Sequence, residues 1–191
     1  MTLPGVGVFA GENTAALVAE LRRAGFAVRV IWAAGRKTAE RLKRELNIDH
    51  CTTDIKELVI RSDVDLVIID SPPPTHSQIA NNALRIGKHV VCSLPAGLNL
   101  SDAKKMIQAS HYYPTLLAAA SSPLRFLEQI QHIRTMIRSG RPGTVQVVEA
   151  KLKDNLTTSE SWRLDNRMGG GSLSLLAAYV TDTGILMGRK T

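Results

Sequence analysis

The stretch "VDLVIIDSPPPTHSQIANNALRIGKHVVCSLPAGLNLSDAKKM", residues 64–106, decides the fold. It opens with an apolar, β-branched run, stops at Ser71 and Pro72, and continues in a helical pattern up to Gly87. A second apolar run follows, "HVVCS" at 89–93, and Asn99 then begins another helix, with Asp102 three places on in a capping-box position. The two runs lack the polar alternation of a half-exposed sheet. Near-continuous apolar strands belong to parallel sheets covered on both faces, and a parallel pair joined by a helix is a right-handed βαβ unit.

The same unit repeats in both directions. Strands are expected at residues 5–10, 27–33, 50–53, 64–70, 89–93 and 115–121. Helices are expected at 13–24, 36–47, 54–61, 75–87 and 99–111. The fold class is therefore α/β, a Rossmann-type doubly wound parallel sheet. Ser122 and Pro123 then start a helix through "LRFLEQIQHIRTMIRS" that Gly140 ends. Beyond it the pattern changes. "GTVQVVEAKLK" (143–153) alternates apolar and polar residues like an antiparallel strand with one wet face, and "MGGGSLSLLAAYVTDTGILMG" is a glycine turn opening into a helix. A lone strand makes no stable sheet. Residues 1–122 are thus expected to form a dinucleotide-binding domain, and residues 123–191 a linking helix and the truncated start of an incomplete α+β second domain.

Bulk properties narrow the function. The chain has 191 residues, 44% hydrophobic and 21% charged, enough for a full core. No apolar run reaches a membrane span, and the start lacks the basic region of a secretory signal, so the sequence by itself points to the cytoplasm. Cys51 and Cys92 have no metal spacing and read as buried free thiols; no metal site is expected. The net charge of +7 concentrates in residues 21–50, where eight basic residues face three acidic ones. Solvated helix faces explain most of them. A nucleic-acid binder is disfavoured, because three Phe, three Tyr and two Trp provide no stacking platform.

The first strand–helix turn of such a sheet should cradle a pyrophosphate on glycine backbone and a helix N-terminus. Here it holds Ala10, Gly11, Glu12 and Asn13, with one glycine where two matter and a carboxylate that repels phosphate unless it turns outward or caps the helix. At the end of the second strand an NAD site usually carries an acid for the ribose. This chain has Arg36 and Lys37 after Gly35, a cationic pair suited to the extra phosphate of NADP, so the expected cofactor is NADP before NAD.

Several motifs hold their spacing together: Ser71, Pro72, His76, Ala83, Leu84, Gly87, Lys88, His89, Val90 and Pro95, then "LRFL" at 124–127 and "GGGSL" at 169–173. This pattern resembles the Gfo/Idh/MocA oxidoreductase family, and "PPP" at 72–74, "YYP" at 112–114 and "RMGGGSL" at 167–173 resemble its animal glucose-fructose oxidoreductase domain-containing group. The resemblance implies a dinucleotide site that includes Ser71, Pro72, His76, Ser93 and Pro95. It also implies subunits paired through the second domain's sheet, a homo-oligomer. For the animal group it implies a link to extracellular matrix assembly, which sets an extracellular location against the cytoplasmic reading.

The departures fall where chemistry would happen. In the family, the fifth strand ends in Glu-Lys-Pro, whose lysine contacts substrate and nicotinamide and helps move a proton. Here those places hold Ser93, Leu94 and Pro95. In the second family motif the Asp has become Leu175 and the His has become Tyr179, while Asp182 survives at the last place. Leucine carries no titratable proton, so a catalytically impaired homologue acting by binding or assembly is expected. The alternative is an active NADP-dependent oxidoreductase on a sugar or polyol, using Tyr179 with Asp182.

Overall fold

The computed structural model describes residues 3–153 and 162–188. The chain divides into two compact units, residues 1–120 and 121–191. The first alternates strand and helix: β1 (Gly5–Phe9), α1 (Thr14–Arg23), β2 (Ala27–Trp32), α2 (Arg36–Glu45), β3 (His50–Thr52), α3 (Ile55–Val59), β4 (Leu66–Ile69), α4 (His76–Arg85), β5 (His89–Ser93), α5 (Leu100–Tyr112) and β6 (Ala118–Ser121). The six strands form one sheet in the order β3-β2-β1-β4-β5-β6, and the pairs β1–β2, β2–β3, β1–β4 and β4–β5 are parallel. The order reverses at β1 and β4. In open α/β sheets that switch point is where ligands bind, beyond the carboxyl ends of the strands.

Two apolar layers explain why the strands carry so few polar residues. Val6 and Val8 of β1 face Val18 of α1 and Ala39 and Leu42 of α2, whereas Phe9 lies in the opposite layer with Leu58, Ile69, Ile79 and Leu84. Each of these side chains is buried, and each Val, Leu, Ile or Phe among them contributes roughly 1.5–3 kcal/mol by burial. Gly7 is needed for close packing: a Cβ there would lie 2.6 Å from Cδ2 of Leu58. Asn99 caps α5 as its sequence position suggests, its side-chain oxygen accepting from the Asp102 N–H at 3.0 Å.

The strand registers share one feature that sets up the site. The last paired residues run across the sheet as a single row, Thr52–Trp32–Phe9–Ile69–Cys92. Everything beyond that row belongs to the rim.

The second unit differs from its sequence reading in two places. The helix expected from Pro123 begins as a 3-10 turn, Pro123–Phe126, and Leu127 then takes extended backbone (ψ 131°) before α6 (Glu128–Arg138) starts. The Arg125 carbonyl accepts from the Gln131 side chain, so the break is held by side-chain bonding that helical periodicity does not reveal. The strand expected at 143–153 is absent: those residues have no ladder partner among the described residues, and an alternating pattern alone cannot make a strand. The glycine turn opens, as expected, into α7 (Ser172–Gly188).

Candidate dinucleotide site

The rim is built from three loops of the first unit. The turn after β1 is tied by Thr14, whose hydroxyl accepts from the Gly11 N–H at 2.8 Å and donates to the Gly11 carbonyl at 2.9 Å. Gly11 passes so close to β4 that a Cβ would sit 1.8 Å from the Asp70 carbonyl oxygen. Its role is backbone-to-backbone packing, where the glycine pattern suggests approach to phosphate. Ala10 donates to the Trp32 carbonyl, and Glu12 and Asn13 lie exposed on the turn. The Asn13 side chain makes no capping bond to α1, and the first turn of that helix has no acid. Its leading N–H groups therefore keep the anion-facing character of a helix start.

The second and third loops are fastened together by His76. Its ring is 1% exposed, with Nδ1 3.0 Å from the Pro95 carbonyl oxygen and Nε2 against the Ser71 carbonyl oxygen. Burial pushes the imidazole below its ordinary pKa, while the two carbonyls pull it back up. The Ser71 hydroxyl meets Thr75, which in turn donates to the Pro72 carbonyl at 2.9 Å. Ser71, Pro72, His76 and Pro95 thus form one connected assembly, with Ser93 and Leu94, both half-buried, leading into the cis Leu94–Pro95 bond. Beside them the Cys92 thiol is pushed up to about 12 by burial and by the Asp70 charge, which makes it an inert core group.

Arg36 and Lys37 open α2 just after β2. Gly35 is the N-cap and makes no side-chain bond, and the first turn again has no acid. Arg36 reaches Glu40 at 2.8 Å while remaining 85% exposed. The other cations of this region are mostly occupied locally: Arg22 donates to the carbonyls closing α2, at 2.6 Å to Leu46 and 2.9 Å to Asn47, and Arg41 pairs with Glu45.

Tyr179 and Asp182 stand one turn apart on α7. Arg125 grips the Asp182 carboxylate through Nε–Oδ2 at 2.7 Å and a second bond from its terminal nitrogen. The guanidinium holds that carboxyl below the usual range. Sequence reading missed Thr14, Asp70 and Arg125. A Gly-x-x-Thr spacing signals the first, but nothing in a linear pattern reveals that Asp70 abuts Gly11 or that Arg125 meets Asp182.

A family model described as "Oxidoreductase family, NAD-binding Rossmann fold" matches residues 3–118. The chain belongs to the Gfo/Idh/MocA oxidoreductase family. Among curated Gfo/Idh/MocA relatives, glucose-fructose oxidoreductase domain-containing protein 2 of mouse is 38% identical over 183 residues, covering 94% of this chain and 47% of the relative. Mouse protein 1 of the same name is also 38% identical, with 46% of it covered. The chain thus spans about half the length of the curated relatives it matches. Among solved structures, an oxidoreductase domain protein from Kribbella flavida superposes with a TM-score of 0.85 at 25% identity, over 98% of this chain and 53% of that one. A scyllo-inositol dehydrogenase from Lactobacillus casei, solved with NAD(H) and scyllo-inositol, shares the fold with a TM-score of 0.67 at 21% identity, over 73% of this chain and 42% of that one.

Within this Gfo/Idh/MocA chain, no group of three His, Cys, Asp or Glu among the described residues is arranged to hold a metal. No described helix is long and apolar enough to cross a membrane.

Proposed function

We propose that this chain is a dinucleotide-binding member of its family that favours NADP over NAD, has lost proton-handling chemistry, and acts through binding or assembly. One observation carries the reading: beyond the last paired row of the sheet, β5 delivers Ser93, Leu94 and Pro95 to the rim, a hydrocarbon side chain at the place where the family resemblance calls for lysine. No proton can be held or moved there.

The residues present fit the adenosine end of the cofactor. The starts of α1 and α2 both lack a side-chain cap and an acid in the first turn. Cations at a helix N-terminus oppose the macrodipole, so Arg36 and Lys37 gain from an anion placed beside them. The turn at Ala10, Gly11, Glu12 and Asn13 would lie under the diphosphate. Ser71, Pro72 and the buried His76 would shape the wall towards the nicotinamide, together with Ser93 and Pro95. A bound nicotinamide supplies hydride chemistry, and the protein's part is to bind and orient it.

Titration of the chain with NADPH and NADH, followed by calorimetry and by fluorescence of Trp32 just beneath the rim, tests this. NADPH is expected to bind more tightly than NADH, and the Lys37→Ala variant to narrow the difference. A panel of sugars and polyols is expected to give no turnover. Measurable hydride exchange with any of them would establish the active-oxidoreductase alternative, for which Tyr179 and Asp182 are the candidate proton groups. Binding of neither cofactor at millimolar concentration would leave only a scaffold.

A further inference from the structure

Asp70 is the first residue after β4, just beyond the last paired row, and its N–H donates to the Phe9 carbonyl at 3.0 Å. It therefore stands at the switch point between β1 and β4, where the diphosphate of a dinucleotide crosses an open α/β sheet. Its carboxylate is turned towards the first strand–helix turn: Oδ2 lies 2.7 Å from the place a Cβ on Gly11 would occupy. Its charge is also felt at Cys92, on the neighbouring strand. The same turn has already committed the Gly11 N–H to the Thr14 hydroxyl. The crevice thus offers the diphosphate one donor fewer and one negative charge more than a glycine-rich phosphate loop does.

We propose that Asp70 is a specificity-determining residue that opposes diphosphate-bearing ligands at this site, so that affinity is concentrated on the adenosine-phosphate end held by Arg36 and Lys37. This rests on the dinucleotide reading above. A carboxylate a few ångströms from a doubly charged diphosphate, partly screened by solvent, weakens binding by about tenfold. The Glu12 carboxylate follows in the same turn but is exposed, so its effect is smaller.

The test compares the full chain with Asp70→Asn, each titrated with NADPH and with adenosine 2′-monophosphate, which keeps the adenosine phosphate and lacks the diphosphate. Asp63→Asn, a remote surface carboxylate paired with Arg61, serves as the charge control. Asp70→Asn is expected to tighten NADPH by about tenfold and to leave the monophosphate within about twofold, with Asp63→Asn changing neither. Detectable NADPH binding by Asp70→Asn alone would assign the lost diphosphate affinity to Asp70 and overturn the reading of the parent chain as an NADPH binder. If the variant binds NADPH no better than the parent, or tightens both ligands alike, Asp70 is no diphosphate determinant, and the dinucleotide reading stands. If neither protein binds NADPH at millimolar concentration, both fall. Circular dichroism monitors the fold, and Asp70→Ser, with a smaller uncharged side chain, repeats the comparison if the asparagine variant does not fold.

Discussion

Nδ1 of His76 lies 3.0 Å from the carbonyl oxygen of Pro95, tying the start of α4 to the turn that follows β5. The opposite ring nitrogen meets the Ser71 carbonyl, so one buried side chain spans two rim loops that are remote in sequence. The neutral ring donates to one of these carbonyls, so replacing it with alanine strands that acceptor and leaves a void. The His76→Ala variant is expected to lose about 2–4 kcal/mol, read from the midpoint of urea unfolding.

The pH dependence of that residue has a definite sign. Burial is the leading cause of its lowered pKa, so the unfolded chain binds the proton more readily than the folded one. Its contribution is complete above the ordinary histidine value of about 6.5 and declines as the pH falls from there towards the depressed folded value. Thermal melts between pH 8 and pH 5 should show a smaller acid-side loss for His76→Gln than for the parent. An equal loss would show that His76 does not carry the dependence.

Arg125 and Asp182 form a bidentate contact within the second unit, with the guanidinium 40% exposed and the carboxylate 18% exposed. Solvent screening holds the coupling to about 1 kcal/mol. A double-mutant cycle of Arg125→Met and Asp182→Asn should return that value at pH 7. Because the folded carboxyl is depressed, the contribution persists above the ordinary carboxylate range and is lost as the pH falls through the folded value. The cycle repeated at pH 3 should give a smaller coupling than at pH 7.

Gly11→Ala places a methyl group 1.8 Å from the Asp70 carbonyl oxygen, and backbone must move to relieve it. The expected cost is about 2–4 kcal/mol, with dinucleotide affinity falling as the turn shifts. A variant that keeps both stability and binding would show that the turn relaxes freely.

Cys92 is buried, with its thiol pushed up to about 12, whereas Cys51 is half-buried. Iodoacetamide at pH 8 followed by mass spectrometry should label Cys51 alone in the folded chain and both residues after denaturation.

The sheet was legible because its signal is local. Apolar runs, Ser-Pro stops and the Asn99 cap each act within a few residues, and all six strands and the helices between them follow. The two misreadings in the second unit mark the limit of periodicity. Residues 143–153 alternate correctly yet have no ladder partner among the described residues, and Leu127 leaves the helix although its neighbours keep helical spacing. The site divides in the same way. Motif spacing located Ser71, Pro72, His76 and Pro95, but not that His76 grips Pro95 across 19 positions. Asp70 read only as the last residue of the strand at 64–70, since its contact with Gly11 exists only once β1 and β4 lie side by side. Asp182 stood out as a surviving family acid, and its Arg125 partner is 57 positions away.

The row Thr52–Trp32–Phe9–Ile69–Cys92 divides the molecule's obligations. Below it, each side chain answers to its neighbours in the ladder and both apolar layers. Above it, Ala10, Asp70, Ser93 and Leu94 stand on a level terrace beyond the last register pair, where side chains can change while the foundation stays the same. Swapping leucine for lysine at 94 should therefore leave the melting temperature nearly unchanged, and the reverse exchange is one the architecture can absorb in silence.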